Sequence, residues 1–284
     1  MIENSSRFQK IDVEQLLESK LGKKAGFIPD FVVDGLRKLV CQEHLNHLLE
    51  RNIDKRGAEF CHGVLADMGV NFTVRNTENL PDPADSRVIY VSNHPLGGLD
   101  GLILIDFLTG YHGKEVRFVV NDLLAAIKPM ESLFIPVNKH GAQGRDTVRK
   151  VNEAFAGDAP IVMFPAGLCS RRASDGTICD LEWQKMFVIK AIQSGRPVIP
   201  LYFSGHNSSF FYKFAQWRVR LGIRFNYEMI LLPREMVRGE GKTYTITVGK
   251  PISTDWLKSD SPAEVARKVR DIVRQLDPDG SPGQ

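Results

Sequence analysis

Long apolar runs are missing from this 284-residue chain. No stretch approaches the roughly eighteen consecutive apolar residues that a spanning helix requires, so no transmembrane anchor is expected and any membrane contact is peripheral. Excess charge is missing too. A formal net charge of +3, with charged residues at 25%, gives none of the concentrated basic footprint of a nucleic-acid binder, and nucleic acid is not expected as a partner. Cysteine is scarce: the four, at positions 41, 61, 169 and 179, form neither a CxxC pair nor a disulfide framework. No secretory leader opens the chain, so a reducing cytosolic compartment is the simpler expectation. A G-x-S-x-G nucleophile elbow is absent, which argues against a serine hydrolase. No internal repeat is visible.

What remains is an ordinary globular composition, 43% hydrophobic, long enough for one large domain with a smaller appended segment. The first part reads as helical over Val13 to Leu21, Phe31 to Asn52 and Ala58 to Met68, from apolar residues at helical spacing. Turn formers at Pro81-Asp-Pro-Ala-Asp-Ser86 then break the pattern. This predicts an N-terminal helical lobe over 1–80 and an α/β domain over 81–284.

From Val88 onward, strand-like and helical runs alternate: Val88–Val91 then Leu99–Leu108, Val116–Val120 then Leu123–Met130, Leu133–Val137 then Asp146–Ala156, Ile161–Phe164 then Trp183–Ser194. Val198–Phe203 and Tyr244–Gly249 add strands, and the capping box at Ser261-Pro-Ala-Glu264 starts a closing helix through Leu276. The fold class is α/β, a mixed central sheet flanked by helices.

Functional groups in open α/β sheets gather where strands end, because the sheet fixes a loop while leaving it open to ligand. Asn93-His-Pro-Leu-Gly-Gly-Leu-Asp100 sits at such a point. The strand delivers His94 into a turn that Gly97 and Gly98 allow to be tight, and Asp100 returns toward the imidazole at the start of the next helix. Acyl transfer to a hydroxyl needs a base near neutrality, for which imidazole is suited, and a carboxylate on its far nitrogen fixes the tautomer. Such a pair needs no protein nucleophile, because the acceptor alcohol attacks the thioester itself. The competing reading makes His94 a loop residue and Asp100 a helix cap.

The sequence resembles the glycerolipid (lysophospholipid) acyltransferase superfamily, whose blocks occur in order from about Val88 to Leu201. The His-and-Asp block corresponds to Asn93–Asp100, the Phe-Ile-x-Arg block to Phe134-Ile-Pro-Val137, the Phe-Pro-Glu-Gly block to Phe164-Pro-Ala-Gly167, and the late proline block to Val198-Ile-Pro-Leu201. Three departures stand out. His94 and Asp100 are separated by five residues where the family has four, Val137 replaces the family's Arg, and Ala166 replaces its Glu. The last two remove polar groups that would hold a glycerol phosphate.

The pattern is similar to the hemolysin-like branch that acylates lyso forms of amino-acid-containing lipids such as ornithine or glycine lipids. The resemblance implies His94 and Asp100 as catalytic, an acyl carrier protein or acyl-CoA as donor, and a lyso-lipid acceptor. It also implies Asn93, Gly97, Gly98, Phe134, Phe164, Pro165, Gly167, Ser170, Arg171, Arg172 and Arg145 as substrate-side residues. Within that set, Ser170, Arg171, Arg172 and Arg145 replace the lost contacts or dock the acidic carrier, with plain loop charges as the alternative. Gly167 or Gly97 and Gly98 supply backbone amides to the oxyanion. Phe164 and Pro165 form wall. Asp180 and Trp183 to Lys185 either line the same cleft or act as cap and core aromatic.

Two rival readings remain. One is a lysophosphatidic acid acyltransferase using Lys139, Arg145 or Arg171 for the missing Arg; the other is a lipid- or carrier-binding module that has lost catalysis.

Phe210 to Phe225 interleaves aromatic and basic residues, as a headgroup-level segment does, although a core helix with snorkelling Arg stems gives the same pattern. Phe27 to Leu39 is a second such stretch. Together they point to a cytoplasmic protein attached peripherally to the inner face of the cell membrane. His44 and His47 have a spacing that would need a third ligand to hold a metal. No metal, nucleotide or organic cofactor is called for.

Overall fold

The computed structural model describes residues 10–121, 128–137 and 145–278. Among these, the chain runs α1 (Val13–Leu21), α2 (Asp30–Leu39), α3 (Gln42–Arg51), α4 (Gly57–Asp67), β1 (Asn71–Arg75), β2 (Ile89–Ser92), α5 (Leu99–His112), β3 (Arg117–Asn121), β4 (Phe134–Val137), α6 (Arg145–Ala156) and β5 (Ile161–Met163). There follow β6 (Arg171–Arg172), β7 (Ile178–Cys179), α7 (Met186–Ser194), β8 (Val198–Phe203), α8 (Ser209–Arg220), α9 (Leu232–Val237), β9 (Thr243–Val248), α10 (Thr254–Leu257) and α11 (Pro262–Gln275). The expected helix at Leu123–Met130 lies outside the described residues over 123–127, and a 3-10 turn begins at Lys128.

Seven strands form one mixed sheet in the order β1-β9-β8-β2-β5-β3-β4. Every neighbouring pair is parallel except β8 with β9. The central strand β2 reads Ile-Tyr-Val-Ser and is buried throughout, as a parallel strand covered on both faces must be. Alternation then sorts its side chains by face. Tyr90 joins Leu102, Ile103 and Leu108 of α5 with Phe60 and Val64 of α4, while Ile89 and Val91 join Phe155 of α6, Phe187 and Val188 of α7, and Val265 and Val269 of α11. Helices therefore cover both faces, and the carboxyl end of β2 lies between the ends of β5 and β8.

The N-terminal 80 residues contribute to the main core and to the main sheet. Phe60, Cys61, Val64 and Leu65 of α4 belong to the same core as α5, and β1 is an edge strand of the main sheet, paired with β9 from Asn71↔Thr243 to Arg75↔Thr247. Leu45 and Leu48 of α3 join that core too, whereas α1 and α2 add no residue to it. The long helix expected over Phe31–Asn52 is two helices, broken at Cys41, whose φ of 53° is left-handed. Arg196 is fully buried and donates to the carbonyls of Phe155, Gly157, Ala159 and Val88, tying down the chain before β5 and β2.

Candidate active site

The carboxyl end of β2 becomes the turn that carries His94. Asn93 closes the strand: its side chain donates to the Phe203 carbonyl (2.9 Å) and accepts from the Phe203 N–H (2.7 Å), extending the β2–β8 pairing by one residue. Its amide is thus spent on backbone rather than presented to a substrate. Gly97 then turns the chain at φ 83°, and a Cβ there would sit 2.8 Å from a Leu232 methyl and 3.3 Å from the Cys169 Cβ. No residue but glycine fits both the torsion and the space. Gly98 is the N-cap of α5, with no atom within 4 Å of where its Cβ would be, so this side of the turn is open.

That turn lets the five-residue spacing close. His94 Nδ1 lies 3.0 Å from Asp100 Oδ2, and Asp100 also accepts from the N–H groups of Leu96 (2.9 Å), Gly101 (2.9 Å) and, more weakly, Gly97 (3.4 Å). Asp100 is fully buried, and burial pushes its carboxyl up. The charge and hydrogen bond of His94, with the Leu96 and Gly101 N–H groups, outweigh that and hold it below the ordinary carboxylate value. An ionised Asp100 can only accept, so Nδ1 of the neutral imidazole carries the proton and Nε2 presents a lone pair. Asp100 is not the cap of α5, a position that Gly98 takes.

The imidazole is held on other sides as well. Its ring stacks on Phe164 at 3.8 Å between centroids, and Phe118 meets the edge of Phe164 at 5.2 Å. The His94 carbonyl accepts from the Ser170 N–H at 2.7 Å. Its own N–H donates to Asp180 Oδ1 at 3.1 Å, and the same carboxylate accepts from Ser170 Oγ (2.6 Å) and Trp183 Nε1 (2.9 Å). The side chain of His94 is 12% exposed, and Nε2 has no partner among the described residues.

The remaining candidates divide. Pro165 is buried beside Phe164, its carbonyl accepting from the Gln184 N–H. The Gly167 N–H donates to the Phe164 carbonyl at 2.9 Å, closing a turn at φ 64°, so in this conformation it is not the oxyanion donor expected of it. Phe134 is buried in register with Phe118, level with Tyr90 and so well short of His94; it lines a cleft at the opposite, amino end of the sheet. Arg171 is not a free substrate contact. Its guanidinium pairs with the buried Glu228 at 2.9 Å, donates to the Cys169 carbonyl at 2.6 Å and lies over the Phe211 ring. Glu228 also binds Arg218 at 2.7 Å. Arg172 lies over the Tyr212 ring. Arg145 opens α6, but its side chain and Lys139 lie outside the described residues. His44 meets the Glu240 carboxylate, and no group of three metal-ligating side chains gathers among the described residues.

An imidazole held by a buried carboxylate, with Nε2 unpartnered among the described residues, fits a general base for direct attack of an acceptor alcohol on a thioester. Comparison with known proteins identifies the family. A family model described as "Acyltransferase" matches residues 15–276. The lyso-glycine lipid O-acyltransferase of Phocaeicola vulgatus is 44% identical over 267 residues, covering 94% of this chain and 95% of its own; that of Bacteroides thetaiotaomicron is 43% identical, covering 94% and 97%. A solved structure, the 1-acyl-sn-glycerophosphate (LPA) acyltransferase PlsC from Thermotoga maritima, superposes with a TM-score of 0.48 at 16% identity, over 95% of this chain and 98% of that one. With a family match that spans nearly its whole length and the His94–Asp100 pair at the end of its central strand, this chain belongs to the acyltransferase family.

Proposed function

We propose that this protein moves a fatty acyl group from an acyl thioester, carried by acyl carrier protein, to the hydroxyl of a lyso-lipid with an amino-acid headgroup, glycine being the first choice. One observation carries the proposal: His94 Nδ1 is bonded to a buried, ionised Asp100 while Nε2 has no partner among the described residues. The names of the two relatives, both lyso-glycine lipid O-acyltransferases, support the acceptor.

The chemistry follows from that geometry. Nε2 takes the proton of the acceptor hydroxyl as its oxygen attacks the thioester carbonyl, and Asp100 stabilises the imidazolium that forms. The tetrahedral oxyanion is held by backbone amides at the open Gly98 side of the turn, where the positive end of the 14-residue α5 favours negative charge. Collapse breaks the carbon–sulfur bond, and His94 returns the proton to the leaving thiolate. Products are the ester and the free thiol of the carrier.

A phosphate-bearing acceptor is less well served. Val137 and Ala166 stand where the superfamily's pattern has Arg and Glu, and the nearby Arg171 is already committed to Glu228. The acceptor and the active site share a membrane-ward side in this reading. Trp217 and Phe225 are 57% and 67% exposed on and beyond α8, next to Arg220 and Arg224, and Leu39 of α2 packs against the buried face of the α8 region. Rings beside cations are suited to a bilayer surface.

The test is product identification. Purified protein is incubated with acyl carrier protein thioester or acyl-CoA, and with lyso-glycine lipid, lyso-ornithine lipid or lysophosphatidic acid, and products are weighed by mass spectrometry. The reading requires the glycine lipid ester from the carrier-bound donor; a product from lysophosphatidic acid alone contradicts it.

A further inference from the structure

We propose that Asp180 is a positioning residue for acyl transfer: by holding the His94 N–H and the Ser170 hydroxyl together, its carboxylate sets the angle at which the His94 ring meets the acceptor. The proposal rests on His94 being the base.

A histidine ring is fixed both by what touches it and by what holds the backbone it springs from. Asp100 fixes Nδ1 and Phe164 fixes the plane, but both act on a ring whose root is a turn six residues long between β2 and α5. That root is anchored by a cross-brace. Asp180 Oδ1 accepts from the His94 N–H and from Ser170 Oγ, while the Ser170 N–H donates to the His94 carbonyl. Both backbone polar groups of His94 are therefore bound to one unit, built from the chain after β5 and the strand β7 leading to it. Asp180 reaches across 86 residues of sequence to make this contact.

Purely structural explanations fit poorly. Asp180 caps no helix: α7 begins at Met186 with Lys185 as its N-cap. Anchoring the Trp183 indole needs a single acceptor, which an amide or hydroxyl provides without charge. Burial pushes the Asp180 carboxyl above its ordinary value despite three donors, so keeping it ionised opposes folding. A costly carboxylate aimed at the backbone of the base is the kind of second layer that holds a reactive group in productive geometry.

The experiment compares Asp180→Asn, the double variant Asp180→Asn with Trp183→Phe, and Ser170→Ala, with His94→Ala as reference, each scored for kcat and KM and for melting temperature. In Asp180→Asn the new NH2 faces the Trp183 N–H, so the amide cannot satisfy all three donors, and adding Trp183→Phe removes that conflict. The expected result is a kcat about 10- to 100-fold lower in Asp180→Asn, as for a misplacement of the order of 1 Å, with KM for both substrates within about two-fold of wild type. Ser170→Ala should lose less, and the double variant should recover most of the rate. The proposal is overturned if kcat in Asp180→Asn stays within two-fold of wild type, if KM rises while kcat holds, or if kcat falls only in step with the folded fraction. Retained turnover in His94→Ala would overturn it differently, by removing the base on which it rests.

Discussion

The two ends of the central sheet differ in a way that shows where chemistry is to be sought. At the amino end lies a cleft of about 560 Å³ lined by Arg117, Glu131, Phe134, Lys150, Glu153 and Asp158. At the carboxyl end, the side chains of His94 and Asp100 are almost wholly enclosed, in a turn that is open at Gly98. The cleft's charges are of mixed sign, and its neighbour Arg196 is consumed by backbone carbonyls. The turn holds a fully buried carboxylate with three backbone N–H groups on it and a ring whose Nε2 has no partner among the described residues. Such poised groups are what point to the candidate site.

Breaking the comparison at its strong end should give the largest effect. His94→Ala is expected to lower kcat by about 10⁴-fold, the upper end for a general acid–base group, with the circular dichroism spectrum unchanged. Asp100→Asn should cost about 10²- to 10³-fold by the same scale. The amide can donate to Nδ1 and force the proton onto Nε2, so the ring then faces the acceptor with the wrong tautomer.

The same end carries a stability element separable from the chemistry. Glu228 is fully buried between Arg171 and Arg218, so Glu228→Gln leaves two guanidiniums without their counter-charge. It should destabilise the fold by about 3–5 kcal/mol, the usual cost of breaking a buried pair, measured by urea unfolding. Acid should act on Asp100 with a definite sign. Its carboxyl lies below the unfolded value of about 3.9; the stability it supplies is therefore complete above about pH 4 and is lost as the pH falls through its folded value. Urea midpoints of wild type and Asp100→Asn should thus converge on acidification. The smallest effect belongs to the other end: Lys150→Ala should leave kcat/KM within about two-fold and stability within about 0.5 kcal/mol. A ten-fold loss of activity there would mean that the cleft takes part.

Much of this could be read from the chain alone, because the signals are local. The buried β-branched runs at Ile89, Ile161 and Val198 fall on strands within a residue or two, and the paired glycines before Asp100 foretell the turn that joins it to His94. What failed was non-local. β1 is a short edge strand whose partner lies about 170 residues away, and the helix over Phe31–Asn52 breaks at a left-handed Cys41, a conformation its side chain does not advertise. Arg171 read as a substrate contact because Glu228, 57 residues on, was invisible as its partner. Asp180 was ambiguous for the same reason: nothing near it in sequence shows that it grips the backbone of His94.

The proposed chemistry depends on which nitrogen of His94 carries the proton. Nitrogen-15 NMR of the imidazole, in wild type and in Asp100→Asn, reads this directly. The neutral ring should be protonated on Nδ1 with Nε2 bare in wild type, and the proton should move to Nε2 when Asp100 becomes Asn. A wild-type ring protonated on Nε2, or a spectrum indifferent to Asp100→Asn, would contradict the assignment of His94 as the base.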